Sequence, residues 1–183
     1  MPHQFVGGDR QLCPRRMTWH AVRVIAVYAG RFDPVTNGHL DVVRRACRIF
    51  DRVIIAVYEA PAEETLFPTS QRVSMLKTSV QEMPSVDVEE FDGLLTDFVR
   101  TRGADAIVRG LRAVTDFSVE FDQALMYKDM APEIEQVYLM SDLRFVFVRA
   151  TRIREVARLG HDVSHLVPEP VAAALQEIWP LKS

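Results

Sequence analysis

The stretch Tyr28-Ala-Gly-Arg-Phe-Asp-Pro-Val-Thr-Asn-Gly-His39 decides the fold, because it separates two hydrophobic patterns of different period. Before it, residues 22–28 form a continuous β-branched and aromatic run, which is typical of a strand buried on both faces. After it, residues 38–50 carry apolar side chains at helical spacing. A buried strand, a turn and a helix in this order predict the opening unit of a parallel α/β sheet.

Within this stretch, Gly38 and His39 fall where the helix should begin. A glycine lets an anionic ligand approach the backbone, and the free N–H groups of a helix start favour phosphate. His39 in the first turn can donate a hydrogen bond to a phosphoryl oxygen and stabilise charge during phosphoryl transfer. The alternative interpretation is a helix-capping histidine beside a packing glycine. The whole string between a buried strand and a helix favours the phosphate site.

Strands and helices continue to alternate along the rest of the chain. This order predicts an α/β fold with a doubly wound parallel sheet in a single domain, and ligands in such sheets bind beyond the carboxyl ends of the strands. Further strands are predicted at residues 53–58, 86–89, 106–109 and 136–140, and helices at residues 69–82, 94–101, 115–130, 151–159 and from 168 or 170 to before 180.

Two arginine clusters follow predicted strands. Val108-Arg-Gly-Leu-Arg112 ends one strand, and Arg149-Ala-Thr-Arg-Ile-Arg154 opens a helix. Arginine suits phosphate because its planar guanidinium donates two parallel hydrogen bonds. The alternative is a solvated charged turn for the first cluster and a charged helix start for the second. Position favours a binding role for the first cluster, whereas the residues alone leave both interpretations of the second open.

Composition and charge argue against nucleic-acid binding and against a membrane span. The net charge of −3 over 183 residues gives no reason to expect nucleic-acid binding. No apolar run reaches the ~18 residues of a membrane span.

Cys13 and Cys47 lack metal or redox spacing and are expected to be free thiols of a reducing cytoplasm. No cluster of ligating side chains predicts a metal site built by the protein. Residues 1–17 are expected to be a disordered extension, and residues 18–183 one domain.

The first motif and the string Ile107-Val-Arg-Gly-Leu-Arg-Ala-Val-Thr-Asp-Phe117 together resemble bacterial phosphopantetheine adenylyltransferases. The resemblance runs from about residue 22 to residue 178 and includes Gln123-Ala-Leu-Met126 and Gly160-His-Asp-Val163. Thr-x-Gly-His is shared across the T/HxGH nucleotidyltransferase superfamily, whereas the string around Arg109 is more specific. The resemblance implies the Rossmann-like nucleotidyltransferase version of the fold.

It also implies a reaction, in which the adenylyl group of ATP passes to 4′-phosphopantetheine and dephospho-coenzyme A and pyrophosphate form. This is the penultimate step of coenzyme A synthesis. Mg²⁺ accompanies ATP, coenzyme A is a further ligand, and a cytoplasmic homohexamer is implied. By resemblance His39 is catalytic. The acceptor is expected to be bound by Arg31, Glu63, Leu95 and Arg109. The residues implied to bind ATP are Arg31, Phe32, His39, Gly110, Leu111, Arg112, Glu120, Phe145, Val146, Phe147, Val148, Arg149, Ala150 and Thr151.

The chain departs from this family at four places. Arg31 stands where the family has threonine or serine, and Glu63 occupies the position of a catalytic lysine. Arg149-Ala-Thr151 replaces a run of serines, and Tyr127 replaces an asparagine near the pantetheine arm. At positions 31, 63 and 149, one positive charge becomes negative and two neutral residues become positive, so the formal charge of the site is unchanged.

We therefore predict that Arg31 takes over the phosphate contact of the missing lysine. Glu63 is then expected to pair with Arg31 or Arg149, or to point into solvent. Two other functions stay open at this point: a non-catalytic relative that binds coenzyme A or a nucleotide, and a sister nucleotidyltransferase with a different acceptor.

Overall fold

The computed structural model describes residues 23–182, apart from the side chains of residues 114 and 115. Within them a five-stranded, wholly parallel sheet has the strand order β3-β2-β1-β4-β5. The strands are β1 (Ile25–Gly30), β2 (Arg52–Tyr58), β3 (Val86–Phe91), β4 (Ala106–Leu111) and β5 (Glu135–Met140).

Six α-helices connect and follow the strands. Short 3₁₀ helices lie at Ala62–Glu64, Leu143–Phe145 and Ser164–Leu166. The α-helices are α1 (Asn37–Ala46), α2 (Thr69–Ser79), α3 (Leu95–Thr101), α4 (Val114–Met130), α5 (Ala150–Arg158) and α6 (Glu169–Ile178). None of these helices is long and apolar enough to cross a membrane, as far as the described part of the chain goes.

The predicted fold class is confirmed, since every predicted strand and helix is present with its predicted type. Boundaries moved by a few residues, most visibly in α1, which ends at Ala46 instead of continuing to Phe50. Cys47 is a free thiol at the end of that helix, and Cys13 lies outside the described residues. The predicted extension at residues 1–17 also lies outside them.

The sheet buries both faces, because alternate residues of its central strands enter two separate apolar clusters. Ala26 and Tyr28 face the larger cluster, which packs against α1, α2, α5 and α6. Val27 and Ala29 face the smaller one, which packs against α3 and the chain after α4. Burial on both faces explains why these strands read as continuous apolar runs.

Two buried charges hold the carboxyl ends of the first two strands. Arg72 of α2 is completely buried, and it donates to the backbone carbonyls of Phe67 at 3.0 Å, Tyr58 at 3.0 Å and Arg31 at 2.5 Å. Asp33 is also buried and accepts from the backbone N–H groups of Leu66 at 2.8 Å and Phe67 at 3.0 Å. The N–H and the carbonyl of Phe67 are therefore each hydrogen-bonded to a buried charged side chain.

We expect Arg72→Met to lower the free energy of unfolding by about 3 kcal/mol, because three buried carbonyls lose a charged donor. Urea unfolding followed by circular dichroism at fixed protein concentration measures this loss. Arg52→Met is the matched control: Arg52 forms an ion pair of 2.6 Å with Asp87, but both side chains are about half exposed. That control should cost less than ~1 kcal/mol. Equal losses in the two variants would show that Arg72 has no special part in the fold.

Candidate active site

A cavity of about 200 Å³ opens beyond the carboxyl ends of β1 and β4, the two strands from which the chain winds in opposite directions. This is the position at which doubly wound sheets bind ligands. The turn after β1, the start of α1, the end of β4, α4 and the segment before α5 all contribute to its wall. The lining residues are Tyr28, Ala29, Gly30, Arg31, Phe32, Thr36, Gly38, His39, Val42, Arg109, Gly110, Arg112, Glu120, Ser141, Phe145 and Val148.

The turn between β1 and α1 is shaped by an aromatic ring. Phe32 has a positive φ of 49°, a conformation that non-glycine residues rarely adopt. Its buried ring lies against Gly30, where an added Cβ would approach the ring to 3.2 Å. A Cβ at Gly38 would likewise come within 3.3 Å of Phe145. Both motif glycines therefore serve close packing, and the unusual backbone conformation falls on Phe32.

His39 both caps α1 and faces the cavity. Its backbone N–H donates to Thr36 Oγ1 at 3.3 Å, while its ring Nδ1 accepts from the Thr36 backbone N–H at 3.0 Å. This is a capping box in which histidine takes the usual place of a glutamate. Because Nδ1 accepts a hydrogen bond, the proton of the neutral ring lies on Nε2. From the sequence, a helix-capping His39 and a phosphate-binding His39 were alternatives. In the structure one side chain can do both, because Nδ1 makes the cap and Nε2–H is left to donate.

The surroundings keep the ring of His39 neutral. Burial, with a smaller contribution from the positive charge of Arg112, lowers the pKa of His39 from its ordinary 6.5 to about 4. The ring of Phe32 packs edge-on against it with 5.2 Å between the centroids. At neutral pH the site thus contains a fixed, uncharged N–H donor.

Arg109, at the end of β4, is held by several groups at once. Its guanidinium donates to the Ala29 carbonyl at 3.0 Å and contacts Gln123 at 3.3 Å and the Tyr127 hydroxyl at 3.4 Å. Glu120 Oε2 lies 3.4 Å from Arg109 Nε. Both of these atoms are buried, and neither has a hydrogen-bond partner of good geometry among the described residues.

Arg112 and Arg149 share one carboxylate. Asp116 Oδ2 accepts from Arg112 Nε at 3.0 Å, and Asp116 Oδ1 lies 3.8 Å from Arg149 Nη2. Arg112 also donates to the Val148 carbonyl at 3.3 Å, which joins β4 to the segment before α5. Asp116 therefore fixes Arg112 on the cavity wall, while Arg149 remains half exposed at the N-cap of α5.

Arg31 forms its ion pair with Glu64, at 2.6 Å, and not with Glu63. Glu64 ends the 3₁₀ helix that follows β2, and both side chains of the pair are about half exposed. Glu63 is exposed on the same short helix and lies outside the cavity wall.

The structure brings together most of the predicted site but not all of it. Nine of the predicted residues line one cavity: Arg31, Phe32, His39, Arg109, Gly110, Arg112, Glu120, Phe145 and Val148. Leu95 is buried in the smaller apolar cluster, beside the exposed Leu94. The other predicted residues lie outside the cavity wall and stay predictions: Glu63, Leu111, Val146, Phe147, Arg149, Ala150 and Thr151.

Among the residues without a predicted role, three charged ones shape the site region. Asp116 follows Arg112 by four positions, a spacing typical of helical ion pairs, so its role could have been found. Asp33 and Arg72 act on backbone groups distant in sequence, and Asp33 is also paired with Arg154. No local pattern signals such contacts.

Comparison with known proteins agrees with this geometry. The family model named Cytidylyltransferase-like matches residues 27–156. A crystal structure of a bifunctional NMN adenylyltransferase/ADP ribose pyrophosphatase from Francisella tularensis superimposes with a TM-score of 0.66 at 20% identity. That superposition covers 85% of this chain and 49% of the other, so the chain spans about half of that protein. The fold and the matched model define the class: a nucleotidyltransferase of the Rossmann-like type.

Two curated relatives narrow the class further. The phosphopantetheine adenylyltransferase of Roseiflexus castenholzii is 49% identical over 155 residues, covering 85% of this chain and 97% of the relative. The enzyme of the same name from Thioalkalivibrio sulfidiphilus is 48% identical, with 85% and 98% coverage. The chain belongs to the phosphopantetheine adenylyltransferase family, and the resemblance drawn from its motifs is confirmed.

We expect ¹⁵N NMR to show the neutral Nε2–H tautomer of His39, protonating only as the pH falls through about 4. Because the folded pKa lies below the unfolded value, the folded state binds fewer protons between these values and loses stability as pH falls across that window. Arg112→Met should raise the pKa of His39 but leave it below its ordinary value, since burial is the larger cause. Protonation near pH 6.5, or a proton on Nδ1, would contradict this account of the ring.

Proposed function

We propose that the chain transfers the adenylyl group of ATP to 4′-phosphopantetheine, forming dephospho-coenzyme A and pyrophosphate in coenzyme A biosynthesis. One observation carries the proposal: His39, Arg109 and Arg112 line a single cavity at the carboxyl edge of the sheet, in a chain 49% identical to enzymes of that name. These residues supply a directed N–H donor and two guanidinium groups, which suit phosphate chemistry.

In the transfer step, an oxygen of the acceptor phosphate forms a bond to the α-phosphorus of ATP. The bond from that phosphorus to the oxygen shared with the β-phosphate breaks, and pyrophosphate leaves with the electron pair. Negative charge builds on the oxygens around the α-phosphorus, and His39 Nε2–H donates to one of them. Because the ring is neutral and fixed, His39 acts as a hydrogen-bond donor without itself transferring a proton.

Arg109 serves the phosphate of the acceptor in this proposal. Its Nε and the facing Glu120 Oε2 are buried without a well-oriented partner in the described part of the chain. Such an arrangement is costly unless another group completes it. A phosphate oxygen can complete the Arg109 side of this arrangement as an acceptor, whereas the Glu120 carboxylate needs a hydrogen-bond donor. Arg112 and Gly110 then border the ATP side, with the orientation of Arg112 fixed by Asp116.

Mg²⁺ is proposed to enter together with ATP. Residues 23–182 contain no group of three or more His, Cys, Asp or Glu side chains able to hold a metal ion. Magnesium is commonly held by one or two carboxylates together with substrate phosphates, so the phosphates of the nucleotide would supply ligands to the ion. The ion contributes neutralisation of phosphate charge. Dephospho-coenzyme A and coenzyme A are proposed as further ligands, and the cytoplasm is proposed as the location.

A homohexamer is proposed, and an apolar surface on α4 supports self-association. Phe117, Phe121 and Leu125 recur every fourth residue along that helix and are about half exposed, and the rings of Phe117 and Phe121 stack with 5.7 Å between centroids. Leu143 and Phe147, which follow β5, are also exposed apolar residues. Monomeric proteins rarely leave such a stripe uncovered, so a second copy of the chain is the proposed occupant.

Leu125→Glu should shift the protein to smaller species, because it places a charge in the apolar contact that we propose. Light scattering coupled to size-exclusion chromatography measures the mass. Ile49→Glu is the matched control, since Leu125 and Ile49 have the same exposure of 57% but Ile49 lies after α1. The same mass in both variants and the unmodified chain would remove α4 from the interface.

His39→Ala should lower kcat by ~10²–10³ with the fold intact, since a donor to developing charge is lost. The assay is pyrophosphate release with ATP, Mg²⁺ and 4′-phosphopantetheine, and His161→Ala serves as the control because His161 lies outside the cavity wall. Wild-type turnover in the His39 variant would remove that residue from the mechanism.

The same assay distinguishes the other functions. Turnover with another phosphorylated acceptor in place of 4′-phosphopantetheine would identify a sister nucleotidyltransferase. Binding of coenzyme A or ATP with no pyrophosphate release from any acceptor would identify a non-catalytic relative. Either result would overturn the proposed reaction.

A further inference from the structure

Arg31 combines a fixed backbone with a free side chain. Its carbonyl accepts a hydrogen bond from the buried Arg72, and the following residue, Phe32, is buried in a left-handed conformation. Its guanidinium, by contrast, is 55% exposed at the cavity mouth. The backbone therefore determines where the guanidinium can reach, while the side chain can still change partners.

The present partner of Arg31 is a carboxylate from a different part of the chain. Glu64 Oε2 lies 2.6 Å from Arg31 Nη2, and the Glu64 side chain is 47% exposed. Exposed ion pairs are only marginally stabilising, because water screens both charges. A phosphate group carries more negative charge than a carboxylate and can accept two parallel hydrogen bonds from the guanidinium. Phosphate can therefore displace Glu64.

The neighbouring acidic residue provides an internal comparison. Glu63 and Glu64 lie on the same 3₁₀ helix, Ala62–Glu64, and both are exposed. Of the two, Glu64 forms the ion pair with Arg31. A general electrostatic effect of this helix on an anion in the cavity would not depend strongly on which glutamate is neutralised. An effect that requires displacement from Arg31 should depend on Glu64.

We propose that Arg31 binds a phosphate group of a substrate and that Glu64 is the internal counter-ion which this phosphate must displace. Glu64 thereby sets the affinity of the site for phosphate, and substrate binding releases the segment after β2 from the cavity mouth. The inference rests on the proposed function only in that the substrates carry phosphate. The phosphate can come from the polyphosphate of the nucleotide or from the monoester of the acceptor.

Calorimetric titration of the full chain with pyrophosphate, without divalent metal, tests the exchange directly. Glu64→Gln should lower the Kd by about fivefold, since the competing carboxylate is removed. Arg31→Thr should raise the Kd by about tenfold through loss of a charged donor. In the Arg31→Thr background, adding Glu64→Gln should change the Kd far less than it does in the unmodified chain. Glu63→Gln, the charge-matched comparison, should give a smaller effect than Glu64→Gln.

A parallel titration with 4′-phosphopantetheine identifies the source of the phosphate. Glu64 dependence in the pyrophosphate arm alone assigns Arg31 to the nucleotide, and dependence in the acceptor arm alone assigns it to the acceptor. Equal effects of the Glu63 and Glu64 variants, weaker binding in Glu64→Gln, or no dependence in either arm would each overturn the inference. The readout is binding, so the exchange can hold in a chain that fails to release pyrophosphate, and it can fail in an active enzyme.

Discussion

The position of the cavity mouth depends on the hydrogen bonds that Asp33 and Arg72 make to the backbone of Phe67. Asp33 accepts the Phe67 N–H and Arg72 donates to its carbonyl, so two buried side chains of opposite charge meet through one residue instead of pairing directly. Arg72 also reaches the carbonyls of Arg31 and Tyr58. The ends of β1 and β2 and the segment before α2 are thereby fixed together. Without this clamp, buried charges would be unsatisfied and the cavity mouth would have no fixed edge.

The three arginines on the cavity wall contact three different carboxylates. Arg31 is paired with Glu64, Arg109 faces Glu120, and Arg112 is bonded to Asp116. The pairs differ in exposure: the Glu64 side chain is 47% exposed, against 22% for Glu120 and 16% for Asp116. Glu120 and Asp116 are the less exposed carboxylates, and Asp116 fixes Arg112 through a hydrogen bond, whereas the exposed pair of Arg31 and Glu64 is the one that we propose exchanges partners. The site therefore holds both fixed and exchangeable positive charge.

Much of this architecture could be predicted from the sequence. The change from a continuous apolar run to helical spacing around Gly38 gave the strand and helix types, and parallel order placed Arg109 and His39 at the same edge of the sheet. Boundaries such as the end of α1 were less accurate, because the apolar spacing continues into the turn beyond Ala46.

The fine geometry of the site could not be read in this way. Whether Glu63 or Glu64 meets Arg31 depends on the rotation of a three-residue 3₁₀ helix, which no periodic pattern reports. The contacts of Asp33 and Arg72 are made to backbone atoms, so the identity of the partner residue carries no signal. The positive φ of Phe32, whose ring packs back onto Gly30, has no signal in the sequence either, because phenylalanine rarely adopts this conformation.

The capping box of α1 determines what happens when His39 is protonated at low pH. The same nitrogen of His39 that accepts the Thr36 N–H is the one that a second proton would occupy. Protonation would therefore break the hydrogen bond from the Thr36 N–H and place a cation at the positive end of the helix dipole. Loss of one half of the capping box and loss of the neutral donor would then occur as a single event. In this chain the protonation state of the histidine and the capping of the helix that carries it are therefore coupled.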